Sequence, residues 1–260
     1  MSATRGRTEK KEKGIELMKP KIFWAGDSTV AHNNALTYPQ AGLAQGIRSF
    51  IKDEVEIKNH AINGRSTKSF LDEYRLAPIY DRITAGDFLL IQFGHNDEKK
   101  EDPLRYTHPE IEYSMNLGKF IAAAENKKAY PVLITPLYRR SFQENGHLFQ
   151  EEHKDYQESM KKTAIKHQVP CIDLCGASKY LLEHVPQGES RSWFMNLEPG
   201  EFPNYPEGKE DNTHLQERGA QKFGELLASG LKALGGIYQG LLASPENINL
   251  SFEGDIIYGK

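Results

Sequence analysis

Four short stretches of this 260-residue chain hold residue types that perform acyl chemistry when they meet in space. They are Gly26-Asp27-Ser28-Thr29, Asn63-Gly64-Arg65-Ser66, Gly94-His95-Asn96-Asp97 and Asp211-Asn212-Thr213-His214. A serine hydroxyl is a poor nucleophile at neutral pH. It needs an adjacent base, and the base needs a partner that fixes its tautomer. Ser28 offers the hydroxyl. Asp211 and His214 stand three residues apart. Around a helix start that spacing sets a carboxylate against one imidazole nitrogen and turns the other outward. The oxyanion that forms on attack needs donors that do not move. Gly64 offers a backbone N–H with no side chain in the way, Asn96 a side-chain amide, and Ser28 its own N–H. Each stretch also has an ordinary reading. Asp27, Ser28 and Asp211 are helix-cap residues, Gly64 and Asn96 are turn residues, and His214 is a surface histidine in a first helical turn. The chemistry therefore depends on whether the fold brings the four together.

Five apolar runs read as strands: residues 21–25, 55–60, 87–93, 130–136 and 170–174. Runs that are apolar without alternation fit a parallel sheet covered on both faces. Between them lie stripes at three-and-four spacing, the mark of helices with one buried face. One holds Leu43, Ile47, Phe50 and Ile51. A second holds Tyr113, Leu117, Phe120, Ile121 and Ala124. A weaker third holds Tyr156, Met160 and Ala164, and the last runs from Phe223 to Leu234. Strand and helix alternate, which predicts a three-layer α/β/α sandwich on a five-stranded parallel sheet. Ser28, Gly64 and Asn96 then fall at strand carboxyl ends, the edge where open α/β sheets bind ligands.

The domain is expected over residues 21–234. Residues 1–20 read as a disordered leader, with six basic against three acidic residues and no apolar middle region of a secretory signal, and Met18 is an alternative start to Met1. Residues 235–260 read as an extension packing on the same domain or on a partner subunit, in a monomer or a homodimer. The net charge of −3 gives no basic face for nucleic acid, and the apolar runs are far too short to span a bilayer. The two cysteines, Cys171 and Cys175, form no disulfide framework or metal motif, and a cytoplasmic location is expected.

In order, Gly26-Asp27-Ser28, Gly64, Gly94-His95-Asn96-Asp97 and Asp211-x-x-His214 resemble the four sequence blocks of the SGNH (GDSL-type) hydrolases. Gly-Asp-Ser-Thr, Gly-His-Asn-Asp and Asp-x-Thr-His-Leu are most similar to the rhamnogalacturonan acetylesterase branch. The resemblance implies a flavodoxin-like sandwich and hydrolysis of acetyl esters on a pectin-derived sugar. It implies Ser28 as nucleophile, His214 as base and Asp211 as its partner. The Ser28 N–H, the Gly64 N–H and the Asn96 amide are implied as the oxyanion hole. No cofactor is required. An acetylated oligosaccharide is the expected partner, with acetylated xylo-oligosaccharides or a short-acyl lipid as alternatives. A silent carbohydrate-binding protein on the same fold is the non-enzyme alternative.

Two further sets of residues bear on the site. Asp27, His95, Asp97, Asp211 and His214 would be a ligand set for a divalent metal, but their spacing matches no metal motif, so no metal is expected. The aperiodic stretch 186–211 carries Trp193, Phe194, Met195, Phe202 and Tyr205, and Trp193 is a candidate to stack on a sugar ring. Arg139, Arg140 and Arg191 are candidates to meet a galacturonate carboxylate. The alternative makes Trp193 and Phe194 core anchors and the arginines solvated.

Overall fold

The run Ile22-Phe23-Trp24-Ala25 offers no polar residue on either face, and it forms the centre of strand β1 (Lys21–Gly26) with all four side chains buried. The computed structural model describes residues 19–248 and 257–259. Residues 1–18 of the expected leader, Met18 included, lie outside the described residues. Strand β1 pairs in parallel with β3 (Glu56–Asn59) on one side and with β4 (Phe88–Gln92) on the other, so Trp24 lies between Asn59 and Leu90. The sheet continues through β5 (Tyr130–Ile134) and β6 (Cys171–Ile172), both parallel, in the order β3-β1-β4-β5-β6.

A sixth strand, β8 (Ile257–Tyr258), closes that edge antiparallel to β6. The sheet thus has six strands among the described residues, not five. A two-residue pairing at the end of an aperiodic tail leaves no run for the sequence to display. A separate ribbon joins β2 (Gln40–Ala41) to β7 (Leu215–Gln216).

Alternation along the strands divides the core. Ile22, Trp24, Leu90 and Val132 face α8 (Glu217–Leu234) and α1 (Leu43–Gly46), while Phe23, Leu89, Ile91 and Leu133 face α4 (Ser114–Glu125) and α5 (Lys154–His167). Leu117, Phe120 and Ile121 of α4 are completely buried, and each contributes about 1.5–3 kcal/mol in this setting. Helices α1 and α8 cross with backbones touching. A Cβ on Gly46 would lie 1.9 Å from the Ala220 carbonyl oxygen, and one on Gly224 only 2.7 Å from Gly46. Gly46 ends α1, and the stripe from Leu43 to Ile51 continues as a 3-10 turn over Ile47–Phe50.

The expected fifth strand is shorter than residues 170–174. Asp173 accepts the Gly176 N–H at 3.1 Å and starts α6 (Leu174–Glu183), a helix whose start signal, that aspartate, lies inside the run 170–174. In the tail, Leu241 and Leu242 are buried against the body, where the Lys52 N–H donates to the Leu241 carbonyl at 3.0 Å. No helix among the described residues is long and apolar enough to cross a membrane.

Candidate active site

Strand order reverses at β1: the chain visits β3 on one side and then returns to β4 on the other. The crevice at the carboxyl ends of β1 and β4 is the topological switch point of such a sheet. Ser28 follows β1, Gly64 follows β3, and Asn96 follows β4.

The loop that carries Ser28 is stiffened from within. The Asp27 carboxylate accepts the Thr29 N–H at 2.9 Å and the Thr29 hydroxyl at 2.8 Å, and the Asp27 carbonyl accepts the N–H of Ala31 at 3.0 Å. Asp27 and Thr29 are buried while Ser28 between them is half-buried, so the hydroxyl is presented on a fixed base. Burial alone would raise the Asp27 carboxyl, but the nearby His95 ring and the Thr29 donors outweigh it and hold it below its ordinary range.

His214 arrives from the far end of the chain. Strand β7 begins one residue later and pairs with β2, which leaves the Ser28 loop a dozen residues downstream. The Met195 N–H donates to the His214 carbonyl at 2.9 Å and ties the stretch down from its other side. His214 is therefore not in the first turn of a helix, as the spacing had suggested; α8 starts at Glu217. Instead, Asp211 Oδ1 accepts the N–H groups of Thr213 and His214, each at 2.9 Å, and this tight turn makes the three-residue spacing work.

The result is a hydrogen-bonded relay. Asp211 Oδ2 lies 2.7 Å from His214 Nδ1, and His214 Nε2 lies 2.9 Å from Ser28 Oγ. Burial pushes the Asp211 carboxyl up, but the His214 ring hydrogen bond, the backbone donors of the turn and the His214 charge outweigh it and hold the group well below the carboxylate range. An ionised Asp211 requires Nδ1 to carry its proton, which leaves the Nε2 lone pair facing Ser28.

The three expected oxyanion donors, Ser28, Gly64 and Asn96, follow β1, β3 and β4 at that same edge. The N–H groups of Ser28 and Gly64 donate to no protein acceptor among the described residues. Gly64 takes φ +75, a conformation that favours glycine, and so turns its peptide without a side chain over the crevice. Asn96 is buried, and its Nδ2 gives one hydrogen to the Arg65 carbonyl at 3.2 Å, which leaves the second free. Beside it, Asp97 accepts the Thr67 N–H at 3.0 Å and the Thr107 hydroxyl at 3.0 Å, binding the loops after β3 and β4 together. Burial pushes the Asp97 carboxyl up to about 7, against those donors.

Four residues expected at the substrate have other partners. Trp193 is 1% exposed and packs edge-on against Phe223 at 5.9 Å, a core anchor of the aperiodic loop with no face open to stack on a sugar. Arg139 is committed to an internal ion cluster, with Nη1 at 2.7 Å from Glu98 and 2.6 Å from Glu152. Arg191 remains exposed and pairs with Glu198 at 3.0 Å. Arg140 braces the loop before His214: its backbone N–H donates to the Asn212 carbonyl at 2.9 Å, and its guanidinium donates to Asn212 Oδ1 at 3.3 Å and to the Ser190 hydroxyl at 3.1 Å.

Two further residues contact Asp211. Asn196 accepts the Asp211 N–H at 3.1 Å, and Lys209 Nζ lies 3.0 Å from Asp211 Oδ2. Lys209 stands two residues before Asp211 and was within reach of a local reading. Asn196 lies in a stretch without period and was not.

Of the five residues considered as a metal set, Asp27 meets His95 at 3.5 Å and Asp211 meets His214 at 2.7 Å, but no three of them gather within ligating distance. Among the described residues one group brings metal-ligating atoms within 4.8 Å of one another, Glu98, Glu152 and His153, and the Arg139 guanidinium already sits on its carboxylates. This cluster has a measurable consequence. Burial pushes the Glu98 carboxyl up, but the hydrogen bond and charge of His153 and the Arg139 cation bring it down to about 2 from 4.5. A lowered carboxyl stabilises the fold fully above about pH 4.5 and loses that contribution as pH falls through about 2. Urea unfolding of Glu98→Gln beside wild type should show a deficit of about 3 kcal/mol at pH 7 that shrinks below about 1 kcal/mol at pH 2. A deficit that stays constant with pH would place the Glu98 contribution in packing.

Comparisons with known proteins show the family of the chain. The model of the GDSL-like Lipase/Acylhydrolase family matches residues 25–222. The rhamnogalacturonan acetylesterase RhgT of Bacillus subtilis (strain 168) is 42% identical over 222 residues, covering 84% of this chain and 93% of its own length. The probable rhamnogalacturonan acetylesterase YesY of the same organism is 39% identical over 220 residues, covering 84% and 95%. Among solved structures, the Bacillus subtilis protein YxiM superposes with a TM-score of 0.68 at 24% identity, over 84% of this chain and 57% of that one. YxiM therefore supports the fold alone. With the family model spanning all four blocks and two relatives matched along nearly their whole length, this chain belongs to the GDSL-like lipase/acylhydrolase family.

Proposed function

We propose that the chain is a serine esterase that removes O-acetyl groups from carbohydrate, with acetylated rhamnogalacturonan oligosaccharides as its substrate. The observation that carries the reading is the unbroken relay from Asp211 Oδ2 through His214 to Ser28 Oγ, at 2.7 and 2.9 Å. The substrate class is supported by the acetylesterase relatives, which are similar along most of the chain.

In this reading Ser28 Oγ attacks the acetyl carbonyl carbon while His214 Nε2 takes its proton. The imidazolium is stabilised by the ionised Asp211. Negative charge on the former carbonyl oxygen is met by the N–H groups of Ser28 and Gly64 and by the free hydrogen of Asn96 Nδ2. Collapse breaks the ester C–O bond, and the departing sugar oxygen takes the proton from His214 Nε2. Water then attacks the acetyl-enzyme, His214 accepts its proton, and acetate leaves as Ser28 Oγ is reprotonated. No step needs a metal or cofactor.

The test is acetate release from acetylated rhamnogalacturonan oligosaccharides set beside acetylated xylo-oligosaccharides. Release predominantly from the pectin-derived set is expected. Release mainly from the xylan set would keep the serine chemistry and overturn the substrate.

A further inference from the structure

A guanidinium stands beside the oxyanion donors, and the mechanism above does not use it. Arg105 Nη1 lies 3.4 Å from Asn96 Oδ1, and it is the nearest atom, at 3.8 Å, to the place a Cβ on Gly64 would occupy. We propose that Arg105 is the positioning residue of the oxyanion hole, holding the Asn96 carboxamide with Nδ2 turned toward the acetyl oxygen. The proposal rests on reading Asn96 as an oxyanion donor.

The orientation of a carboxamide follows from its neighbours. Arg105 donates to Asn96 Oδ1, and the Arg65 carbonyl accepts from Nδ2 at 3.2 Å. Exchanging the two ends would set an NH₂ against a guanidinium and a carbonyl against a carbonyl. One orientation therefore survives, and it leaves the second Nδ2 hydrogen free. A charged donor on Oδ1 also draws density out of the amide, which makes that hydrogen a stronger donor.

Arg105 is itself fixed. Its Nε donates to the Asp102 carboxylate, and the Asp102 carbonyl accepts the N–H groups of Arg105 at 3.0 Å and Tyr106 at 2.7 Å. One turn further on, the Thr107 N–H donates to the Asp97 carbonyl at 3.0 Å. The Tyr156 hydroxyl contacts the carbonyls of both Asp97 and Thr107, at 2.9 and 2.7 Å. The backbone carrying Arg105 is thus pinned to the backbone carrying Asn96. The Arg105 side chain is about one-third exposed, so its charge on the Asn96 amide is only partly quenched by water.

A double-mutant cycle on p-nitrophenyl acetate, a neutral substrate, separates this role from the others. Arg105→Ala should lower kcat about tenfold with KM within about twofold, and Asn96→Ala should lower kcat about 10²- to 10³-fold. If Arg105 acts through Asn96, adding Arg105→Ala to Asn96→Ala should change kcat less than about twofold further, and Arg105→Lys should recover part of the loss. Unchanged melting temperatures in all variants separate the effect from folding. Losses that simply multiply in the double variant would overturn the proposal and leave Asn96 in its role. An unchanged kcat in Arg105→Ala, or a rise in KM confined to uronate-bearing substrates, would overturn it too. An Asn96→Ala variant with full kcat would overturn both the proposal and the oxyanion reading beneath it.

Discussion

Ser28→Ala is expected to lower ester turnover by a factor on the order of 10⁴ to 10⁶, measured as kcat on p-nitrophenyl acetate. The size follows from what remains. The variant keeps the N–H groups of residues 28 and 64 and the Asn96 amide, so binding and oxyanion stabilisation survive, and these alone give a residual acceleration of about 10³- to 10⁴-fold over water. What disappears is the atom that forms the acyl bond. Stability should hardly move, because Ser28 is half-buried and the hydroxyl bonds to the ring of His214, which is itself 29% exposed and open to water. A melting temperature equal to wild type with turnover near background is the expected pair of readings. A large fall in both would mean the variant tests the fold and not the chemistry.

Asp211→Asn should cost about 10⁴-fold in kcat, nearly as much, although the shape of the side chain is kept. Asn Oδ1 can still accept the N–H groups of Thr213 and His214, so the turn survives. The amide that replaces Oδ2 is a donor, and it cannot accept the Nδ1 proton. The ring then prefers the tautomer with the proton on Nε2, which points a donor at Ser28 Oγ and removes the base. Lys209 also loses its partner at 3.0 Å and leaves a positive charge beside any imidazolium that forms. The wild-type profile should show no inflection from Asp211 in the working pH range, because the turn and His214 hold its carboxyl far below neutrality. A variant within tenfold of wild type would mean that another group orients His214.

The legible parts of this protein were those in which residue type and position coincide. Ser28, Gly64 and Asn96 each follow an apolar run, and a parallel sheet places all such ends on one edge. The pair Asp211 and His214 is local, so its spacing could be read, although the reason for the spacing proved to be an Asp-anchored turn before β7 and not a helix start. The failures share a cause. Trp193 lies in a loop with no period, and an aromatic there gives no sign of which way it faces; the ring went to the core beside Phe223. Arg139 is a charged side chain whose partners Glu98 and Glu152 lie 41 and 13 positions away, and only folding chooses them. Arg105 and Asn196 were silent for the same reason, since their value rests on contacts with Asn96 and Asp211. Strand β8 and helix α6 escaped because two residues make no pattern and because the one start signal of α6, Asp173, lies inside an apolar run.

The central claim is that Ser28 is the nucleophile and that His214 activates it. The most direct measurement is to treat the enzyme with a fluorophosphonate, digest it, and locate the adduct by peptide mass spectrometry in wild type and in His214→Ala. The account predicts one adduct, on Ser28, forming in step with loss of esterase activity and scarcely forming in His214→Ala. Loss of activity with the adduct on another residue, or full activity in enzyme fully labelled at Ser28, would contradict it.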